Sequence, residues 1–253
     1  MSDLREYEVL AKTQAFRRHV DKARSLFERA AEIGPLAVSV SWGKDSIAML
    51  DLAIEVLGPE VRAMNLASPY ALPGFEHVRD HFAARCNLTV LESRRSLADF
   101  IAWCHEIGLP HERDRSVQKG AVRKMKVGPA ERWVAEQGIA VQCLGMRIAE
   151  KGPRAKRLKE RGPIYQVASG SWRASPLCWW STKEVWAYLV SRGLPWPRLY
   201  DCETHGFTRE RLRNTGWLST DDAHDGRILW LRAHFPEQYR MLVDAFPLVA
   251  TMS

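Results

Sequence analysis

A chain of 253 residues can bury a full core in one domain and still carry a smaller appendage. Its 46% hydrophobic and 26% charged content is ordinary for a soluble globular protein. No uncharged apolar run approaches the ~20 residues needed to cross a bilayer, and the opening Met1-Ser-Asp-Leu-Arg-Glu lacks a signal-peptide core. Those features exclude a helical membrane protein and lead us to expect a cytoplasmic one.

The net charge of +7 is unevenly placed. Residues 111–126 hold six Lys/Arg against two acids, residues 147–161 hold seven against two, and the remainder sums to −2. Positive charge gathered in two segments implies a polyanionic partner: a phosphate-rich nucleotide, nucleic acid, or both. The five cysteines (Cys86, Cys104, Cys143, Cys178, Cys202) are odd in number, scattered and free of any Cys-x-x-Cys pair. A disulfide framework is therefore not expected, nor a metal centre built on cysteine. Cys202 and His205 have a ligand-like spacing, but no second pair accompanies them, and the expected metal ligands are none.

In chain order, residues 3–33 read as one long helix, with Phe16, Val20, Ala23, Phe27 and Ala30 forming a single apolar stripe. Gly34-Pro35 stops it. Residues 36–40 are a β-rich run that feeds the polar loop Ser41-Trp42-Gly43-Lys44-Asp45-Ser46, and the loop opens an apolar-periodic helix closed by Gly58-Pro59. A strand over 61–66, a helix over 74–85, a strand over 88–91 and a helix over about 97–107 follow. After the basic stretch 111–126 comes a helical run ending near Gln137-Gly138, then a strand over 139–144. Strands alternating with helices at this spacing predict an α/β fold, a doubly wound, mostly parallel sheet with helices on both faces. The expected organisation is an N-terminal helix (1–34), a nucleotide-binding α/β domain (35–170) and a mainly helical C-terminal region packed on it (171–253).

In such sheets ligands bind beyond the carboxyl ends of the strands, where the strand order switches direction. The loops after Val40 and Leu144 both lie at carboxyl ends and are expected to face one ligand. Amide hydrogens at a helix start bind phosphate oxygens, Lys44 adds a full charge, and Ser41, Asp45 and Ser46 supply short arms for phosphate, a metal or the helix cap. Walker A is excluded, because Asp45 follows Gly43-Lys44 and Val38 stands where that pattern needs glycine. No Gly-x-Gly-x-x-Gly follows a strand. The second loop, Gly145-Met-Arg147-Ile-Ala-Glu150-Lys-Gly-Pro-Arg154, is read as flexible and glycine-bracketed, with guanidinium forks suited to phosphate or sulfate.

The first loop resembles the pyrophosphate-binding PP-loop, Ser-x-Ser-Gly-Gly-Lys-Asp-Ser, of ATP pyrophosphatases and of the phosphoadenosine phosphosulfate (PAPS) reductase family. Ser39, Ser41, Gly43, Lys44, Asp45 and Ser46 match, while Trp42 replaces the first glycine and puts an indole where the backbone is bare. The second loop resembles that family's Gly-x-Arg-x-x-Glu-Ser-x-x-Arg at Gly145, Arg147, Glu150 and Arg154. Ser181 and Glu184 predict a capping box, and Trp180, Glu184, Val185 and Trp186 resemble a further family block that we read as architecture. The resemblance spans roughly residues 36–246.

By that resemblance the fold is the adenine nucleotide α-hydrolase type. The nucleotide-binding residues would be Ser39, Ser41, Trp42, Gly43, Lys44, Asp45, Ser46, Gly145, Arg147, Glu150 and Arg154, with Arg147 and Arg154 clamping the far phosphates. Lys44, Asp45 and Arg147 would be catalytic. The bound nucleotide would be ATP or PAPS, with Mg²⁺ if ATP is the substrate, and chemistry would occur at the α-phosphate or its sulfate. The chain departs where relatives carry Arg-x-Gly-Cys-x-x-Cys-Pro: Arg213-Asn-Thr-Gly216-Trp217 fills that place without cysteine, and no cysteine lies beyond Cys202. That absence undercuts PAPS reduction itself and an iron–sulfur cluster. The alternative is a non-catalytic accessory subunit whose segments 111–126 and 147–161 serve a nucleic-acid or ribonucleoprotein partner.

Overall fold

The central strands bury consecutive residues, and so both of their faces, which requires cover on both sides, and the fold supplies it. The computed structural model describes residues 4–67, 72–91, 128–150, 152–204, 206–214 and 226–251. The helix expected at 97–107, the basic stretch 111–126, and Lys151, His205, Gly216 and Trp217 lie outside these residues.

In chain order the described elements begin with α1 (Leu4–Ala11), α2 (Gln14–Ile33), β1 (Leu36–Val40), α3 (Lys44–Leu57), β2 (Arg62–Leu66), α4 (Glu76–Ala83) and β3 (Asn87–Leu91). Next come α5 (Gly128–Glu136), β4 (Val141–Cys143), α6 (Pro153–Arg161), β5 (Ile164–Gln166), β6 (Trp172–Ala174) and α7 (Thr182–Ser191). A 3₁₀ turn (Arg198–Asp201), α8 (Arg227–His234), α9 (Pro236–Ala245) and a second 3₁₀ turn (Pro247–Thr251) complete them. The six strands form one sheet in the order β3-β2-β1-β4-β6-β5, parallel throughout except for the antiparallel edge pair β5 and β6.

On one face Val38, Val40, Val141 and Cys143 pack under α2, α3 and α7; on the other Ala37 and Met64 meet Trp133 and Val134 of α5. The α/β architecture expected from the alternation is thus present. The strand order reverses direction between β1 and β4, which places the loops after Val40 and Cys143 side by side.

Three local expectations need correction. The run 3–33 is two helices, because Thr13 caps α2: its hydroxyl accepts from the Phe16 amide at 3.2 Å and donates to the Leu10 carbonyl at 2.8 Å. The break lets α1 turn onto α7, where Tyr7 packs against Trp186 with ring centroids 6.2 Å apart. The second loop is short, since Pro153 starts α6 at a position that needs no backbone donor. Strands β5 and β6 went unanticipated, and β6 pairs with β4, so the sheet continues past residue 170. The capping box of α7 is present, with Ser181 accepting from the Glu184 amide at 3.2 Å and Glu184 accepting from the Ser181 amide at 2.7 Å.

Asp51 of α3 is fully buried and ties three segments together. Its Oδ2 accepts from Tyr188 Oη at 2.9 Å and Arg192 Nε at 2.6 Å, while Arg85 Nη2 lies 2.8 Å from Oδ1. Burial, then the Asp51 charge, pushes the Tyr188 phenol up, so it stays a donor. Asp51→Ala would strand that donor and the partly exposed Arg85 guanidinium, while Arg192 would keep only Glu55, at a cost of about 3 kcal/mol. Thermal unfolding should show a fall of roughly 6–12 °C, and a shift under 2 °C would mean that the network contributes nothing.

Candidate nucleotide site

The first turn of α3 starts without an N-cap side chain, because its N-cap is Gly43. A helix start normally leaves its first amide hydrogens without intrahelical partners. Here the Lys44 amide donates to Tyr200 Oη at 3.1 Å, and the Ser41 amide donates to Ser46 Oγ at 3.2 Å. Among the described residues no acceptor meets the amides of Trp42, Gly43, Asp45 and Ser46. Four donors and the positive end of a 14-residue helix therefore converge at the carboxyl end of β1.

The loop is held from all sides. Asn65 Nδ2 donates to the Val40 carbonyl at 2.9 Å, fixing the end of β1. Gln142 Nε2 on β4 donates to Ser39 Oγ at 2.7 Å. Ser46 Oγ donates to the Gly43 carbonyl at 2.9 Å and lies 3.5 Å from Ser41 Oγ. Asn214 Nδ2 donates to the Ser41 carbonyl at 2.8 Å, and its buried Oδ1 has no partner among the described residues. Asn65, Tyr200, Gln142 and Asn214 were missed as site residues. Arg213-Asn214 lies in a block that the resemblance singled out, but contacts across 156 and 173 residues leave no local sign of the roles of Tyr200 and Asn214.

Trp42 solves the problem posed by its side chain. Its φ of +56° is the left-handed region, unusual for a side-chain-bearing residue. That backbone turns the indole inward, where it is 2% exposed and stacks with Phe82 at 6.4 Å between centroids. The main chain of the loop stays bare after all.

The charged residues form a chain. Lys44 Nζ lies 3.2 Å from Asp45 Oδ2, and Arg147 Nε donates to Asp45 Oδ1 at 2.5 Å. Burial alone would raise the Asp45 carboxyl, but Lys44 and then Arg147 outweigh it and hold the group below its ordinary value. Arg147 was expected to clamp phosphate from a flexible loop, and its placement differs from that. The residue is 3% exposed, and its Nη1 donates to the Trp180 carbonyl and to Thr182 Oγ1, both at 3.2 Å. Its Nη2 lies 3.9 Å from Glu150. The guanidinium thus joins the second loop to α3 and to the start of α7. Arg154 stands apart, exposed in the first turn of α6 with no ion pair among the described residues. Gly145 sits directly on the seat, where an added methyl would lie 3.4 Å from the Ser46 nitrogen and 3.5 Å from Asp45 Cβ.

Both Asp45 oxygens are committed to cations, and no cluster of three or more His, Cys, Asp or Glu that could hold a metal occurs among the described residues. As placed, these groups do not make a metal site, and we assign no step to one.

A family model for the phosphoadenosine phosphosulfate reductase domain matches residues 35–209. The chain belongs to this family. It is similar to the PAPS reductase of Xanthomonas campestris pv. campestris, 26% identical over 206 residues, covering 78% of this chain and 75% of that one. The Gloeobacter violaceus PAPS reductase is 28% identical over 176 residues, covering 66% of each. Among solved structures, a phosphate complex of Candida auris PAPS reductase superposes with a TM-score of 0.55 at 21% identity, over 71% of this chain and 83% of that one. Candida glabrata FMN adenylyltransferase with FMN and an ATP analogue gives 0.53 at 16% identity, covering 74% and 59%. A tRNA thiolase from Methanococcus maripaludis that carries a [4Fe-4S] cluster gives 0.52 at 14%, covering 94% and 81%. These likenesses share the sheet and its helices.

Within the PAPS reductase family, this member's described cysteines are poor nucleophiles. Burial pushes the Cys143 and Cys178 thiols up to about 12 and raises Cys86 and Cys202 as well.

Proposed function

We propose that this PAPS reductase family member binds an adenine nucleotide, ATP or a sulfonucleotide, with its phosphates on the amides of residues 42–46, and acts at the α-phosphate or its sulfate. The observation that carries the reading is the uncapped start of α3: four amides without acceptors among the described residues, with Lys44 beside them. An anion there would gain charge-assisted hydrogen bonds and the helix dipole together. Catalysis would be charge stabilisation, with Lys44 and the helix start facing negative charge as it develops on the reacting phosphate or sulfate. In this reading Arg147 is a positioning residue, holding Asp45 so that Asp45 orients Lys44. The raised thiols of the described cysteines support phosphoryl or sulfuryl chemistry that uses none of them.

Calorimetric titration with ATP, adenosine phosphosulfate and PAPS, followed by pyrophosphate or sulfite detection, tests the proposal. Gly145→Ala sharpens the test. The methyl at 3.4 Å fits without moving the backbone but covers the Ser46 amide. Losing one charged hydrogen bond should weaken nucleotide binding by about 10-fold or more while the melting temperature holds. Unchanged affinity in that variant would move the ligand elsewhere. A second reading, binding without turnover, draws support from the mutual pairing of Lys44, Asp45 and Arg147, which uses up two cations. Nucleotide binding with no pyrophosphate or sulfite released would favour it.

A further inference from the structure

Helix α6 is electrostatically at odds with itself. Its nine residues, Pro-Arg-Ala-Lys-Arg-Leu-Lys-Glu-Arg, hold five cations and one acid. Like charges stand three or four apart at Arg154 and Arg157, Lys156 and Lys159, and Arg157 and Arg161, and each such pair destabilises the helix. Arg154 and Lys156 also sit at the positive end of the dipole. The single acid, Glu160, lies 3.7 Å from Lys156 and relieves only that residue.

Beneath the cations, Ala155 and Leu158 are buried, so α6 presents no apolar stripe outward. Leu158 packs with Leu26 of α2, Tyr165 of β5, Met146 and Cys178, which sets α2, α6 and the 176–180 turn side by side. On α2 the residues bordering Leu26, Lys22 and Arg29, are exposed, as is Arg18 one turn before Lys22.

Trp179 lies on this same face. It is 42% exposed, although its neighbours Cys178 and Trp180 are fully buried. The other large hydrophobic side chains exposed among the described residues, Val9, Ile33, Val90, Leu229 and Met241, are all aliphatic. The backbone under Trp179 is fixed: the Ile148 amide donates to the Cys178 carbonyl at 2.7 Å and the Trp180 amide to the Leu177 carbonyl at 2.9 Å. Lys22 Nζ stands 5.7 Å from the ring centroid. A rigid, solvent-facing indole bordered by exposed cations offers stacking and charge together.

We propose that the α2–α6 face is a docking surface for single-stranded nucleic acid, with Trp179 as the platform for one base and Arg18, Lys22, Arg29, Arg154, Arg157 and Lys159 along the phosphate path. Stacking on an aromatic tolerates any base, and a basic groove tracks the backbone. A membrane fits less well, because one indole is the face's exposed apolar group and α6 has no hydrophobic side to insert. The surface begins next to the nucleotide seat, since Met146 belongs to its apolar floor and the adjacent Arg147 holds Asp45. The proposal does not rest on nucleotide binding at that seat.

The test is fluorescence anisotropy of the full chain with labelled mixed-sequence 20-mers of single-stranded RNA and DNA across a salt series. Trp179→Ala should weaken binding by roughly 5- to 150-fold, equivalent to one stacked base, and Trp179→Phe should restore most of it. Arg157→Glu with Lys159→Glu should lower affinity and reduce the salt slope by about 0.7 for each phosphate no longer neutralised. Both positions are exposed and the reversals remove the like-charge pairs of α6, so melting temperatures should hold or rise. Failure to bind either 20-mer at low salt, or binding that ignores both variants, would overturn the proposal. So would stronger association with phosphatidylserine vesicles than with either 20-mer.

Discussion

Arg147→Ala is expected to lower stability by about 3 kcal/mol and to abolish nucleotide binding in the same variant. The guanidinium is buried and donates to Asp45, the Trp180 carbonyl and Thr182, so its removal strips a partner from a largely buried carboxylate and from a buried carbonyl. Breaking one half of a buried pair typically costs about 3–5 kcal/mol, and Lys44 beside Asp45 keeps the expected loss at the low end. Lysine should rescue less than half of it, because one ammonium cannot serve three acceptors lying in different directions. The pH dependence carries a sign. Asp45 titrates below its ordinary value in the folded chain, so its contribution is present above the unfolded value and lost as pH falls through the folded one. The gap between wild type and Arg147→Ala should therefore be complete at neutral pH and narrow below about pH 4. Denaturant unfolding at a series of pH values measures it. A gap that widens in acid would show that Asp45 is not the group Arg147 stabilises.

Trp42 offers the second large effect, and an unusual ranking. Removing a buried tryptophan costs about 3–5 kcal/mol, here with loss of the stack on Phe82. Glycine recovers roughly 1–2 kcal/mol of that, because only glycine takes the left-handed backbone freely. The indole nitrogen also has no hydrogen-bond partner among the described residues, so its loss removes one desolvated donor. Trp42→Gly should accordingly lose about 2–3 kcal/mol, and Trp42→Ala about 1 kcal/mol more, since alanine forfeits the packing and keeps the strain. Nucleotide affinity should change little in the glycine variant, because the amide at 42 survives. Alanine proving more stable than glycine in denaturant midpoints would remove the strain from this account.

The residues that could be read locally were the ones whose roles are local. Gly43 to Ser46 at the mouth of a strand already implied amides aimed at an anion, and Ser181 with Glu184 implied a capped helix, which is present. The stripe from Phe16 to Ala30 marked the buried face of α2, yet Thr13 was overlooked as a cap because helical periodicity runs on through it. The three-residue strands β5 and β6 are too short to show a period. The resemblance named Arg147 but could not say what it touches. Its partners lie 102, 33 and 35 residues away, and they make it a buried tie between the second loop, α3 and the start of α7.

By itself the sequence determined the α/β alternation, the position of the first loop, the family and the uneven charge, because each follows from neighbours along the chain. Tertiary structure alone decided that Tyr200 and Asn214 close over the loop, that the Trp42 indole turns inward, and that α2, α6 and Trp179 share a face. The physical reason is separation: hydrogen bonds and buried contacts between distant residues form only once the sheet has set its strand order, and no local pattern records them.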